Sequence, residues 1–269
     1  MNLTIVNAEK AAEGKAELPA QFSEPVSSDL IARAVITLQM NKRQPYGAHP
    51  EAGTRTSSHL RRVRKGTYRA SYGKGISRVP RKILTRRGSQ MYWLGAQAPG
   101  TVGGRRAHPP KAFKNWERKM NRKEAAKAMR SALAATLQKE FVEGRGHKMP
   151  EGYPFILSDS ATSLSKTKEA QQLLKKLGFS AELSRTADPK IRAGKGKLRG
   201  RKYDKKIGPL IVVADKCELQ KSAANIPGVE VAIVNELNAE MLAPGTAPGR
   251  LTIFTSSAIA RMKKENLFM

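Results

Sequence analysis

Outside residues 41–115, short apolar runs alternate along the chain with stretches in which apolar positions recur every three or four residues. The short runs predict strands and the longer spacing predicts amphipathic helices. The run at residues 210–214 is continuous and β-branched, as expected for a central strand that is covered on both faces. The predicted strands are residues 3–6, 155–157, 181–183, 210–214, 229–234 and 251–254.

Helix-start and helix-end signals fall between these runs. Residues 27–29 (Ser-Ser-Asp) offer side-chain oxygens to the free N–H groups of a first helix, and Asn121 does so for a second. Glu124 stands three residues after Asn121, as in a capping box. Ser165 is expected to cap a third helix, which Gly178 would close in a left-handed conformation.

Alternating strands and helices predict an α/β fold: a mainly parallel sheet with flanking helices, a Rossmann-like three-layer body. A last helix is predicted around residues 259–262. The body is expected to comprise residues 1–42 and 115–269. Residues 43–114 would be a long extended internal loop, an arm inserted in that body.

Charge is concentrated in two segments of the chain. The net charge is +28, of which residues 41–115 carry +17 and residues 185–206 carry +8, leaving +3 for the remainder. Such an imbalance indicates a polyanionic partner. A membrane is the weaker alternative, since no apolar run approaches the ~18 residues of a span and no secretory signal begins the chain. The single cysteine, Cys217, excludes a disulfide within the chain.

The arm lacks a pattern that would build a core. It holds ten of the 22 glycines, and its apolar residues follow neither a strand nor a helix period. We therefore expect its shape to be imposed by a partner. A disordered basic tail is the alternative, but the arm is internal, and Tyr, Trp and Pro residues punctuate it.

Basic and aromatic residues of the two charged segments are the candidate RNA-binding residues. Lys and Arg neutralise phosphates, and aromatic rings stack on exposed bases. In the arm the candidates are Arg55, Arg61, Arg62, Arg64, Lys65, Tyr68, Arg69, Tyr72, Lys74, Arg78, Arg81, Lys82, Arg86, Arg87, Trp93, Arg105, Arg106, His108 and Lys111. In the second segment they are Lys190, Arg192, Lys195, Lys197, Arg199, Arg201 and Lys202.

An enzyme is the competing hypothesis, because α/β sheets often carry catalytic or nucleotide sites. It rests on fold analogy alone, since the sequence has no phosphate-binding glycine loop between a first strand and a first helix. Asp159 and Asp215 follow predicted strands, and we expect them to cap the helices that come next. The four histidines lack metal-site spacing, and Cys217 is expected to be a buried or turn residue. No catalytic residue, metal or cofactor is predicted.

Five ordered motifs resemble the family of universal large-subunit ribosomal protein four, in its archaeal and eukaryotic branch and most closely its archaeal members. The resemblance covers nearly the whole chain. The motifs are residues 105–111 (RRAHPPK), 130–136 (RSALAAT), 190–196 (KIRAGKG), 199–203 (RGRKY) and 242–252 (LAPGTAPGRLT).

This resemblance implies a structural constituent of the large ribosomal subunit, located in the cytoplasm, with no enzymatic activity. The arm would thread into ribosomal RNA, and its tip would help to line the polypeptide exit tunnel near ribosomal protein twenty-two. The candidates for tunnel lining are Lys65, Tyr68, Arg69, Tyr72 and Lys74. Because a free arm this basic would bind RNA indiscriminately, an assembly chaperone is also expected as a partner.

Overall fold

The computed structural model describes residues 1–60, 73–88 and 90–269. It divides the chain into two compact units. The first, the body, comprises Met1–Lys42 and Glu117–Met269. The second, the arm unit, comprises Arg43–Trp116.

The described residues form ten strands and eight α-helices, joined by turns and short 3-10 segments. The strands are β1 Asn2–Val6, β2 Ala12–Glu17, β3 Arg81–Arg87, β4 Gln90–Gly95, β5 Ile156–Leu157, β6 Lys190–Ile191, β7 Tyr203–Asp204, β8 Leu210–Val213, β9 Glu230–Ile233 and β10 Thr252–Thr255. The helices are α1 Ser28–Asn41, α2 Arg122–Leu137, α3 Lys139–Gly144, α4 Thr167–Lys176, α5 Ser180–Ala187, α6 Glu218–Ala223, α7 Ala239–Leu242 and α8 Ser256–Lys264.

Six strands of the body form one sheet in the order β2-β1-β5-β10-β8-β9. All neighbours pair in parallel except β2, which is antiparallel to β1 at the edge. Parallel neighbours require crossovers, and the helices between the strands supply them. The predicted α/β fold with a mainly parallel sheet is confirmed.

Each face of this sheet is covered by its own hydrophobic core. Leu210 and Val212 of β8 pack in one core with residues of α1, α2 and α8. Ile211 and Val213, which point to the opposite face, pack in the other core with α4, α5 and α6. A helix layer therefore lies on each side of the sheet, as the continuous apolar run at residues 210–214 predicted.

The prediction of a strand at residues 181–183 was wrong, because this segment lies in helix α5. Its buried residues are Glu182, Leu183 and Thr186, a helical spacing that the three-residue apolar window did not reveal. Gly178 has φ +96° and closes the turn after α4, as predicted. The residue flanking the start of α4 is Lys166, so Ser165 does not cap that helix.

Asn121 does occupy the position before α2, with Glu124 in the first turn, yet neither the Asn121 nor the Ser27 side chain makes a capping hydrogen bond. The Ser27 N–H donates instead to Ser131 Oγ of α2, at 2.7 Å. A tertiary contact therefore replaces the expected local one.

The arm unit contains regular structure that the sequence pattern did not predict. Strands β3 and β4 pair antiparallel from Arg81↔Gly95 to Arg87↔Gln90, and a bulge at Leu84 interrupts the register. Within the described part of this unit Ala96 is the only buried apolar residue, and none of its residues belongs to either core. Backbone pairing, and not a hydrophobic core, gives this segment its form.

Candidate nucleic-acid interface

The β3–β4 hairpin displays basic side chains that the protein itself does not neutralise. Arg86 and Arg87 are exposed and Lys82 is partly exposed. No carboxylate of the described residues pairs with any of these three side chains. Unpaired surface cations at this spacing are suited to bind successive phosphates.

Arg81 and Trp93 form a cation–π contact on the hairpin. The Arg81 guanidinium carbon lies 5.4 Å from the centroid of the Trp93 ring. Arg81 also donates to the Ser77 carbonyl at 3.0 Å and to Ser77 Oγ at 3.1 Å. The cation is thereby fixed over the indole, and the pair offers a flat surface that carries positive charge.

The outgoing and returning limbs of the arm unit approach each other at two glycines. A Cβ on Gly47 would lie 2.5 Å from the Ala112 nitrogen, and one on Gly53 would lie 2.5 Å from the Arg105 nitrogen. The Ala48 N–H donates to the Pro110 carbonyl at 2.9 Å. Only residues without a side chain allow the backbones this close, so the limbs are held as a pair.

An aromatic cluster lies where these limbs begin and end. The rings of Tyr46 and Trp116 have centroids 4.7 Å apart, with 47° between their planes. The Arg43 guanidinium lies 5.2 Å from the Trp116 ring and 5.9 Å from the Tyr46 ring. Phe113 lies further along the returning limb and is exposed. The sequence list omitted all four residues, although aromatic and basic residues interleave there as they do around Tyr68.

The second basic segment folds into a small loop on the body. Strands β6 and β7 pair antiparallel, and the Arg192 N–H donates to the Lys202 carbonyl at 2.8 Å. Gly200, at φ +74°, turns the chain between them. Lys195, Lys197 and Arg199 are exposed on this loop. Backbone hydrogen bonds between β6 and β7 therefore hold the ends of a loop on which these three cations are exposed.

The structure locates most, but not all, of the predicted RNA-binding residues. All the basic ones that it describes are exposed, apart from Arg81 and Lys82, which are partly exposed. Two of them have acidic partners: Arg55 lies 3.9 Å from Glu51, and Arg192 lies 3.4 Å from Asp204. The candidates that fall outside the described residues are Arg61, Arg62, Arg64, Lys65, Tyr68, Arg69 and Tyr72.

At the carboxyl edge of the sheet, Asp159 occupies the place where a nucleotide-binding fold receives its anion. Its carboxylate accepts hydrogen bonds from Ser256 Oγ at 2.7 Å and from the Ser257 N–H at 3.0 Å, at the start of α8. Partial burial raises the pKa of Asp159, but these hydrogen bonds outweigh it and hold the pKa below its ordinary value. A helix N-terminus attracts anions, and here the chain supplies its own.

The prediction that Asp159 and Asp215 cap the helices following them was therefore wrong. Asp159 binds the N-terminus of α8, which is distant in sequence but adjacent in the sheet because β5 and β10 are neighbours. Asp215 pairs with Arg261 of α8. Cys217 is half-buried at the residue flanking α6, as expected for a turn residue.

A buried ionic network joins helix α5 to the segment at His147 that follows α3. Glu182 is fully buried and accepts hydrogen bonds from Arg185 at 2.6 and 2.8 Å and from the Lys148 N–H at 2.9 Å. His147 Nδ1 lies 2.6 Å from the same carboxylate. Burial raises the pKa of Glu182, but these partners together lower it to about 2. Both oxygens of the Glu182 carboxylate have partners within the body, which marks this residue as structural support.

A buried arginine, Arg250, supports the motif at residues 242–252. Arg250 is 1% exposed and donates to Glu230 at 2.7 Å, to the Gly208 carbonyl at 3.0 Å and to the Met241 carbonyl at 2.9 Å. Arg145 donates to the carbonyls of Pro244 and Ala247. Burial and the charges of Arg250 and Arg185 lower the pKa of Arg145 to about 10. The motif is thus fixed by internal hydrogen bonds.

Among the described residues, no group of three or more His, Cys, Asp and Glu side chains is arranged to hold a metal ion. No helix in that part of the chain is long and apolar enough to cross a membrane.

A sequence model of the Ribosomal protein L4/L1 family matches residues 16–265. The chain belongs to this family. It is 47% identical to large ribosomal subunit protein uL4 of Nanoarchaeum equitans over 269 residues, the whole of both chains. It is 43% identical to the uL4 of Methanococcoides burtonii over 266 residues, covering 98% of each chain. With the uL4 of Methanococcus maripaludis it shares 44% identity over 266 residues, covering 97% of this chain and 98% of that protein.

Membership of the L4/L1 family confirms the resemblance that the five motifs carried, including its archaeal character. It agrees with a structural role and not a catalytic one. Two of the motifs also have clear positions in the fold. Residues 105–111 lie on the returning limb of the arm unit, and residues 190–196 begin the β6–β7 loop.

Proposed function

We propose that this chain is a structural constituent of the large ribosomal subunit and binds its ribosomal RNA through the arm unit and the β6–β7 loop. The observation that carries the proposal is that the hydrophobic cores and most of the excess positive charge lie in different parts of the chain. Both hydrophobic cores lie in the body, whereas the arm unit shows one buried apolar residue in its described part and carries most of the excess charge. The names of the uL4 relatives support the same assignment.

The body serves as the rigid holder of the arm. Its six-stranded sheet has helices on both faces, and the arm leaves after α1 and returns before α2. These two helices pack in one core through Ile31, Val35 and Leu133. Both ends of the arm are therefore tied to packed helices. Ordering the arm in RNA then costs less conformational entropy than ordering a free tail of the same length.

The arm would use two kinds of contact. Exposed cations such as Arg86, Arg105 and Lys111 would neutralise phosphates. The Arg81–Trp93 pair would present a planar face to an unpaired base. We also propose that residues 65–74 lie at the arm tip and line the exit tunnel, near ribosomal protein twenty-two. Before assembly, a chaperone would cover the arm.

Salt dependence of RNA binding tests this proposal. The purified chain should bind large-subunit ribosomal RNA with an affinity that falls by roughly 10³–10⁵ between 50 and 200 mM salt, as expected for about 6–10 phosphate contacts. Filter binding or fluorescence anisotropy over that salt range gives the slope directly. An affinity that does not change with salt would overturn the proposal, since the charge would then have no part in binding.

A further inference from the structure

The two limbs of the arm unit enclose an open cleft of about 610 Å³ beside the aromatic cluster. That volume lies within the range of about 300–1,000 Å³ typical of small-ligand sites. One wall is the outgoing limb at Tyr46 and the other is the returning limb. The lining residues are Tyr46, Arg106, His108, Pro109, Pro110, Lys111, Phe113 and Lys114.

Basic side chains line the cleft. Arg106, Lys111 and Lys114 line it, and Arg43 lies beside it over Tyr46 and Trp116. No Asp or Glu occurs in residues 43–50 or 105–116, the segments that build the cleft and its surroundings. An anionic occupant would therefore complement the charges of Arg106, Lys111 and Lys114.

Aromatic faces are available in and around the same cleft. Phe113 is 85% exposed and Tyr46 is 54% exposed. The Lys111 ammonium lies 5.3 Å from the Phe113 ring. Trp116 is fixed by its Nε1–H, which donates to the Ala112 carbonyl at 3.1 Å. A large aromatic ring left open to water costs free energy, and a planar ligand would cover it.

Contacts within the arm unit join the two walls of the cleft. Pro109 and Pro110 restrict the backbone of its returning wall. The Ala48–Pro110 hydrogen bond and the close approach at Gly47 hold the two walls together. Preorganisation of this kind lowers the entropic cost of binding.

We propose that this cleft binds a single unpaired nucleotide of RNA, its base stacked on Phe113 or Tyr46 and its phosphate held by Arg106, Lys111 and Lys114. The inference rests on the proposed function and gives the base of the arm a role different from that of the hairpin. A ligand that offered only phosphate groups would contact the cations and leave the aromatic rings unused. The combination of rings and cations fits a base and its phosphate, and an acidic protein segment would leave the ring faces without a planar partner.

The proposal is tested on the full chain with Phe113→Ala, Phe113→Trp and the control Val102→Ala. Val102 is 92% exposed in the same unit, so its substitution removes exposed apolar surface outside the cleft without removing a ring. Each protein is titrated with single-stranded oligoadenylate and with an RNA duplex that has the same number of phosphates. Circular dichroism confirms that the variants fold.

Phe113→Ala should weaken oligoadenylate binding about ten-fold, leave the duplex almost unaffected and keep the same salt slope, because no charge is removed. Phe113→Trp should retain the wild-type affinity, and Val102→Ala should match it. Irradiation of the wild-type complex should crosslink RNA to a peptide that contains Tyr46, Phe113 or Trp116.

Equal affinities of Phe113→Ala and Val102→Ala for oligoadenylate would overturn the cleft proposal. So would crosslinks that lie only in other segments. If the wild-type chain still bound ribosomal RNA with a steep salt slope, the proposed function would stand and only the nucleotide site would fail. Loss of that slope in the wild-type chain would refute the proposed function instead.

Discussion

At the scale of single residues, the body uses one exposed carboxylate, Asp159, and one buried carboxylate, Glu182, to hold elements that are distant in sequence. Asp159 joins the end of β5 to the start of α8, and Glu182 joins α5 to the segment at His147. Both carboxylates are hydrogen-bonded, and neither has the raised pKa of a catalytic acid. Asp159 at the carboxyl edge of the sheet and Glu182 in α5 therefore act as structural ties.

Replacement of Asp159 by Ala should lower the free energy of unfolding at pH 7 by about 1 kcal/mol, the typical value of a lost helix cap. Because the pKa of Asp159 is lowered on folding, its contribution is present above the ordinary pKa of about 3.9 and is lost as the pH falls below it. Urea unfolding at pH 7 and pH 3 measures the difference. Asp188→Ala, at an exposed position, should change little, and an equal effect of both would refute the role of Asp159.

Glu182→Gln should be more damaging, because it leaves Arg185 and His147 beside a neutral group. Removal of one partner of a buried ion pair costs about 3–5 kcal/mol. The pKa of Glu182 is lowered from 4.5 to about 2, so the unfolded chain binds more protons in that interval. The stability advantage of wild type should therefore be complete above pH 4.5 and shrink as the pH falls toward about 2.

Chemical denaturation across that pH range tests the network, with Glu236→Gln as the control at an exposed glutamate. A difference between wild type and Glu182→Gln that stays constant from pH 7 to pH 2 would show that charge has no part in it.

At the scale of elements, the β3–β4 hairpin shows how a basic segment can be regular without being buried. Backbone pairing sets its register and its Leu84 bulge, while none of its described side chains is fully buried. Hydrophobic periodicity could not predict it, since periodicity reports burial on one face and this hairpin buries neither. The β6–β7 loop escaped prediction for the same reason.

Replacement of both Arg86 and Arg87 by Ala should weaken binding to ribosomal RNA uniformly and reduce the slope of log affinity against log salt by about 2. Both side chains are exposed and lack acidic partners among the described residues, so the body should keep its stability. Lys175→Ala with Lys176→Ala removes the same charge from exposed positions on α4 and serves as the control. Equal slope changes in the two double variants would show that only total charge matters.

At the scale of the whole molecule, folding and binding are assigned to different parts of the chain. Every residue of the two hydrophobic cores belongs to the body, in which the net charge outside residues 185–206 is small. The arm unit lacks a comparable core in its described part. We therefore predict that the body folds even when much of the arm is removed.

Deletion of residues 55–100 should therefore leave the thermal unfolding of the body almost unchanged, while incorporation into large subunits falls strongly. The cut ends are close, since a Cβ on Gly53 would lie 2.5 Å from the Gly104 carbonyl carbon, so a short linker can join them. Calorimetry and reconstitution with ribosomal RNA measure the two effects. A truncated chain that failed to fold would show that the arm contributes to the core.

The sequence by itself determined the α/β class, the two-sided burial of β8, the closure of α4 at Gly178 and the basic character of the arm. These follow from local composition and spacing, which a single chain displays directly. Only the tertiary structure decided that Asp159 meets α8, that Glu182 lies in a helix and that Tyr46 faces Phe113 across a cleft. Those contacts join residues far apart in the chain, and their geometry depends on strand order and limb pairing, which local spacing does not encode.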